Sequence, residues 1–283
     1  MDPSLTCSFE FFPPKTPQGH VSLLRTIGAL RPFNPSFVSV TSKAAPGAFQ
    51  PTLDLCVRIQ QEYGLPVAAH LTCFGRSRNE ILHIADALHA GGIQHIIALR
   101  GDLPTDGARA PGDFPHASDL IAFLRDRKAP FRIGAACYPE AHPEATSPLS
   151  DLEWTVRKAQ AGADFLLSQM FFVPRAFRRF VERIRRRGVE IPIVPGIMPI
   201  TRATQTRLFA EKCHVRIPAW ILGDLAQAPP DKDVSDYGVA IAEAHCRELM
   251  EHGVRSFHFY TLNGLTATQQ IYGRLLVGQQ QPS

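Results

Sequence analysis

The sequence predicts an α/β protein built as a single (β/α)8 TIM barrel. Short apolar or β-branched runs alternate with longer amphipathic segments along the whole chain, the pattern of βα units around a parallel sheet. About eight such repeats fit within 283 residues, a length that single α/β barrels commonly reach. No Gly-x-Gly-x-x-Gly follows any strand, so the competing arrangement, an open doubly wound sheet, lacks its dinucleotide fingerprint.

The expected strands are, in order, Leu5–Phe12, Ser36–Thr41, Pro66–Thr72, His95–Arg100, Phe131–Tyr138, Phe165–Gln169, Ile191–Ile197 and Ser256–Thr261. Helical patterns between them include Thr52–Glu62, Ser77–Ala90, Ala117–Arg127, Ser150–Ala161, Arg175–Arg187, Thr201–Glu211, Ser235–His252 and Thr266–Leu276. Gly64, Gly91, Gly162, Gly188 and Gly253 stand where helices should end and turn back to a strand. The stretch from Val215 to Asp233, with Pro218, Pro229 and Pro230, is too long for a simple loop and predicts a helical insertion before the last strand. No linker divides the chain, so residues 1–278 are expected to form one barrel and the Gln-rich residues 279–283 a disordered tail.

Composition narrows the class without naming a function. With 45% hydrophobic residues the chain can bury a sizeable core, and a net charge of +4 fits an anionic small ligand as well as nucleic acid. The run Arg175, Arg178, Arg179, Arg183, Arg185, Arg186, Arg187 lacks interleaved aromatics and reads as the solvated face of an outer helix, so no nucleic-acid partner is expected. Six scattered cysteines without a Cys-x-x-Cys read as free thiols in a reducing compartment. No stretch approaches the roughly 20 apolar residues of a membrane span, and a strand begins almost at Met1, which predicts a soluble cytoplasmic protein. His70 and Cys73 would point to opposite faces of a strand and have no partner cluster with zinc spacing, so no metal is expected.

Barrel enzymes place reacting groups at the C-terminal ends of strands. Polar residues fall there one after another: Glu10, Thr41, His70 with Thr72, Arg100-Gly101-Asp102, Tyr138 and Gln169. Together they predict a ligand site at that rim. Glu10 is the sharpest of them, a carboxylate among Phe9, Phe11 and Phe12 just before Pro13-Pro14. A buried carboxylate is either paired or neutralised by a raised pKa, and an apolar setting favours the second, which suits a general acid.

Four segments resemble the methylenetetrahydrofolate reductase family: Ser8-Phe-Glu-Phe-Phe-Pro-Pro-Lys15, Ala98-Leu-Arg-Gly-Asp-Leu-Pro104, Tyr138-Pro-Glu-Ala-His-Pro-Glu-Ala145 and Phe257-His-Phe-Tyr-Thr-Leu-Asn263. The resemblance runs from about Ser8 to Leu276. It implies a barrel holding FAD that takes a hydride from NADH or NADPH and passes it to 5,10-methylenetetrahydrofolate, giving 5-methyltetrahydrofolate. It makes Glu10 the acid that protonates folate N10, and Asp102 the carboxylate beside flavin and pterin, where its charge disfavours an anionic reduced flavin. The FAD contacts it implies are Thr41, His70, Arg100, Gly101, Asp102, Ala117, Ser118, Tyr138, His142, Glu144, Ala145, Asp151, Arg157 and Lys158. Of these, Arg100, Arg157 and Lys158 suit phosphate by charge. The folate contacts it implies are Asp102, Gln169 and Gln205, with Phe209 one helical turn later placed to stack on a ring. Relatives are often homo-oligomers, and the S-adenosylmethionine-responsive domain of eukaryotic members is not expected after this barrel. Two sites depart from the family pattern, Ser42-Lys43 in place of an aromatic and a glycine, and Gly264 in place of an arginine. Both bear on folate and nicotinamide rather than on flavin, and Lys43 is a candidate to supply the charge absent at Gly264. They motivate an alternative, a flavin-holding relative reduced by another donor or acting as a binding protein; a third, cofactor-free reading uses Glu10 and Asp102 as a carboxylate pair.

Overall fold

Alternation along the first strand sets the architecture. In β1 (Thr6–Phe11), Cys7, Phe9 and Phe11 enter the main hydrophobic core, whereas Ser8 and Glu10 on the opposite face meet histidines. The computed structural model describes residues 5–42, 49–103, 112–229 and 232–277; Lys43 and the tail 279–283 lie outside them. β1 continues into a closed, all-parallel barrel through β2 (Phe37–Val40), β3 (Val67–Thr72), β4 (His95–Leu99), β5 (Arg132–Cys137), β6 (Phe165–Met170), β7 (Ile193–Ile197) and β8 (Ser256–Tyr260). The ring closes where Thr6–Glu10 of β1 pair with Ser256–Tyr260 of β8.

Around it run α2 (Gln50–Tyr63), α3 (Arg78–Ala90), α4 (Ala117–Asp126), α5 (Pro148–Gln160), α6 (Pro174–Arg185), α7 (Ala203–Lys212), α9 (Ser235–Glu251) and α10 (Thr266–Val277). The helical insertion expected between Val215 and Asp233 is α8 (Ala219–Gln227). The structure adds α1 (Pro17–Leu30), capped by Thr16 and seated on the barrel through Leu23, Leu24, Ile27 and Leu30. Gly64 closes α2 in the left-handed conformation, φ 64°; at the end of α3 it is Gly92, φ 78°, that turns, next to Gly91 with φ −75°.

Three apolar clusters divide the labour. The largest lies between strands and helices, and a second, of Phe37, Ala68, Ile97, Phe165 and Leu167, fills the barrel lumen. The Phe37 ring there stacks between His95 and His258. The third, around Met170, Met198, Ile200, Ile221 and Leu225, carries α7 and α8 above the C-terminal rim. The register between β6 and β7 slips between Leu167 and Met170. Gly196 fits there because a side chain would collide with the Ser168 carbonyl and approach the Tyr260 ring to 2.5 Å.

Candidate active site

Two cavities open at the C-terminal ends of the strands and share a wall made by Leu99, Ala136 and Tyr138. The inner one, about 270 Å³, lies over the barrel lumen and is lined by Glu10, Phe12, His70, Gln169, Met170, Met198, Phe209, Cys213, Tyr260, Thr261 and Leu262. The outer one, about 230 Å³, lies over α4 and α5 and is lined by Arg100, His116, Ala117, Ser118, His142, Glu144, Ala145, Thr146, Asp151, Trp154 and Lys158.

Glu10 faces the inner cavity from among imidazoles rather than among phenyl rings. Strand alternation turns Phe9 and Phe11 to the outer core, so the apolar setting read from neighbouring letters belongs to the other face of β1. Glu10 Oε2 lies 3.2 Å from His70 Nε2, a close charge contact out of line for a hydrogen bond, and 3.4 Å from His258 Nε2. His258 is fully buried, and its Nδ1 lies 2.7 Å from Ser8 Oγ. The tautomer that serves both contacts is the one in which Ser8 donates to Nδ1 and the Nε2 proton is directed at Glu10. Burial alone would push the Glu10 carboxyl up; the nearby His70, with a hydrogen bond from His258, outweighs it and holds the carboxyl down at about 2. The expectation of a raised pKa is therefore reversed. Tyr260 completes this wall, its hydroxyl donating to the Ser168 carbonyl at 2.7 Å beside the β6 irregularity that carries Gln169.

The outer cavity is polar and partly cationic. Arg100 pairs with Glu144 at 2.7 Å. Lys158 is buried and donates to the Ala136 carbonyl at 2.6 Å; burial lowers its pKa while the nearby Asp151 pushes it back up. Burial likewise raises Asp151 and, ahead of the charge of Arg100, lowers His142. On the floor the His116 ring stacks on Trp154 with centroids 3.8 Å apart, and the Arg157 guanidinium covers Trp154 from 4.5 Å. The N-terminus of α4, at Ala117 and Ser118, opens on the same space, where the helix dipole favours an anion.

Most sequence-predicted residues meet at these cavities. Arg100, Ala117, Ser118, Tyr138, His142, Glu144, Ala145, Asp151 and Lys158 line the outer one; Glu10, His70, Gln169 and Phe209 line the inner one. Thr41, Gly101, Asp102, Arg157 and Gln205 line neither. Asp102 is exposed, yet its charge reaches Tyr138, His142 and Cys213 on both cavities. Gln205 is engaged with the Thr201 hydroxyl at 3.3 Å. Sequence reasoning gave no role to His258, Tyr260, Trp154, His116 or Cys213. The period of two that puts His258 and Tyr260 on one face of β8 was the signal for the first pair; only packing reveals the His116–Trp154 stack.

The polar outer cavity and the chamber faced by the half-buried Glu10 carboxylate thus lie on two sides of one wall. Residues 2–276 match the family described as methylenetetrahydrofolate reductase. The chain belongs to the methylenetetrahydrofolate reductase family. Over 260 residues it is 39% identical to the 5,10-methylenetetrahydrofolate reductase of Escherichia coli (strain K12), covering 92% of this chain and 86% of that one. It is 35% identical to methylenetetrahydrofolate reductase (NADH) 1 of Arabidopsis thaliana, covering 90% of this chain and 46% of that longer protein. A solved structure, an uncharacterized protein from Clostridium thermocellum that binds two copies of 5-methyl-5,6,7,8-tetrahydrofolic acid, shares the fold with a TM-score of 0.66 at 14% identity, over 96% of this chain and 94% of that one. Among the described residues of this reductase-family chain, no three His, Cys, Asp or Glu side chains are grouped to hold a metal ion, and no helix is long and apolar enough to cross a membrane.

Proposed function

We propose that this protein reduces 5,10-methylenetetrahydrofolate to 5-methyltetrahydrofolate with a hydride from NADH or NADPH, using FAD, and that Glu10 delivers the proton. The observation that carries the reading is Glu10, the one carboxylate among the described residues lining the inner cavity, beside two imidazoles and next to a polar cavity with cationic side chains. When bound, FAD supplies the means to accept a hydride from nicotinamide and pass it to the folate.

The residues divide that work by chemistry. Lys158, Arg100 and the N-terminus of α4 offer positive charge to the cofactor phosphates, while the face of the His116–Trp154 stack and the Tyr138 ring offer aromatic surface. Ser118, His142, Glu144, Ala145 and Asp151 complete that wall, Gly101 follows Arg100 in the chain, and Arg157 covers Trp154; Thr41 lines neither cavity. In the inner cavity Gln169 and Phe209 take the folate ring; Asp102 and Gln205, which do not line it, would have to reach the substrate from outside that wall.

Reduction consumes one nicotinamide hydride and one proton, and the proton is needed on N10 so that the five-membered ring opens to an electrophile. His70 and His258 lie 3.2 and 3.4 Å from the Glu10 carboxylate, within reach for a proton to pass between them. A substrate ring seated against Glu10 removes its remaining water, which pushes the carboxyl up and draws a proton onto it from an imidazole. His70 and His258 thus load the acid.

The test is an anaerobic stopped-flow measurement of both half-reactions on the flavin-loaded protein. Bleaching by NADH or NADPH followed by reoxidation with 5,10-methylenetetrahydrofolate is the expected result. Protein that takes up no FAD would refute the reading. FAD binding without bleaching by either nicotinamide would favour a relative reduced by another donor, the reading motivated by Ser42 and Gly264.

A further inference from the structure

The β1–β8 ladder ends at the pair Glu10–Tyr260, at the rim of the inner cavity. Past it, the chain after β8 makes a tight turn in which two consecutive non-glycine residues, Leu262 and Asn263, take left-handed backbones with φ 51° and 60°. L-residues avoid this region, and asparagine tolerates it best. The turn is tied by Gly264 N–H to the Thr261 carbonyl at 2.8 Å and by Asn263 N–H to the Thr261 hydroxyl oxygen at 3.1 Å.

From that turn three side-chain bonds reach across to β1. The Thr261 hydroxyl donates to the Glu10 carbonyl at 2.6 Å. Asn263 Nδ2 donates to the Phe12 carbonyl at 2.9 Å, and Asn263 Oδ1 accepts from Phe12 N–H at 3.0 Å. One amide therefore satisfies both backbone groups of Phe12, as a paired strand residue would. Aspartate has no donor for the carbonyl, glutamine is a methylene too long, and glycine has no amide.

We propose that Asn263, helped by Thr261, is a positioning residue that prolongs the β1–β8 ladder by a side chain and thereby fixes Glu10 and Phe12 against the substrate. Both amide bonds lie at the surface, where bonds to water replace protein bonds at little net loss. The clamp therefore contributes placement more than stability. It joins the two loops that supply Glu10 and Phe12 on one side and Thr261 and Leu262 on the other, all walls of the inner cavity. The role rests on the reading of Glu10 as the proton donor.

The test compares flavin-loaded wild type with Asn263→Ala, Asn263→Gly, Asn263→Asp, Thr261→Val and Thr261→Ser in both half-reactions. Glycine keeps the left-handed backbone and removes the clamp, so Asn263→Gly and Asn263→Ala should both slow folate reduction by about ten- to a hundredfold, in line with a misplaced catalytic group. Bleaching by nicotinamide should stay within about twofold, Asn263→Asp should fall between, and Thr261→Ser should rescue what Thr261→Val loses. Hydrogen exchange across residues 9–13 should quicken in Asn263→Gly, a readout independent of turnover. Wild-type folate rates or unchanged exchange in Asn263→Gly would overturn the proposal. So would equal slowing of both half-reactions, or failure of both Asn263→Ala and Asn263→Gly to fold with flavin, since either would make the clamp a fold element. A wild type that leaves the folate unreduced would instead overturn the proposed activity, and the exchange experiment would still decide the clamp.

Discussion

Replacing Glu10 by glutamine keeps shape and removes charge, and its effect can be worked from the site. The carboxyl is held at about 2 against an ordinary 4.5, principally by His70 once the opposing effect of burial is overcome. At about 1.4 kcal/mol per pKa unit the ionised form gains about 3 kcal/mol, an upper figure because the site is shared with two rings. The sign follows from a depressed folded pKa: the stabilisation is fully present above 4.5 and is lost as pH falls toward 2. Urea unfolding at pH 7 should therefore find Glu10→Gln less stable by about 1–3 kcal/mol, with the gap narrowing by about two-fifths at pH 3.5. In the stopped-flow assay the same variant should bleach with nicotinamide at nearly the wild-type rate and reduce folate about 10²- to 10⁴-fold more slowly, the range expected for a lost general acid. Equal loss in both half-reactions, or a stability gap independent of pH, would refute the argument that the cluster both holds Glu10 and supplies its proton.

Other perturbations probe other parts. Lys158→Met removes the buried cation of the outer cavity and should weaken FAD binding about tenfold or more, read by flavin fluorescence titration. Trp154→Ala removes the stack with His116 and should weaken the same titration about tenfold, within the range of base-to-aromatic stacking. Gly264→Arg should fold, because among the described residues a Cβ there meets only the Thr261 carbonyl, at 3.2 Å; if positive charge at that loop aids substrate binding, the KM for folate or nicotinamide falls. Gly196→Ala drives a methyl into the Ser168 carbonyl and the Tyr260 ring and should cost about 1–3 kcal/mol in urea unfolding.

The barrel was legible because hydrophobic runs and helix-ending glycines repeat at the period of the fold. Helix α1 was not, because Gly19, Gly28 and the β-branched Val21, Thr26 and Ile27 blur its pattern, and its Thr16 cap and Leu23, Leu24, Ile27, Leu30 stripe emerge only against the barrel. At the site, the identity of Glu10 was readable from the chain, but its surroundings were not. Neighbours in sequence suggested an apolar pocket; neighbours in space, His70 and His258, are 60 and 248 positions away. The Asn263 clamp was likewise invisible, since it depends on two backbone angles and on a carbonyl 251 residues distant.

That separation has a consequence for how the protein comes into being. The outer cavity draws on residues 98–158, a nearly contiguous stretch of βα units, and can take shape from local contacts. The inner one needs β1 against β8, joining Glu10 to Thr261 across 251 positions, so its carboxylate meets His258, and its backbone carbonyl the Thr261 hydroxyl, only when the ring is sealed. Cofactor binding and proton chemistry should therefore mature at different moments of refolding, flavin capture first and competence toward folate last, which makes the second an internal report that the barrel has closed.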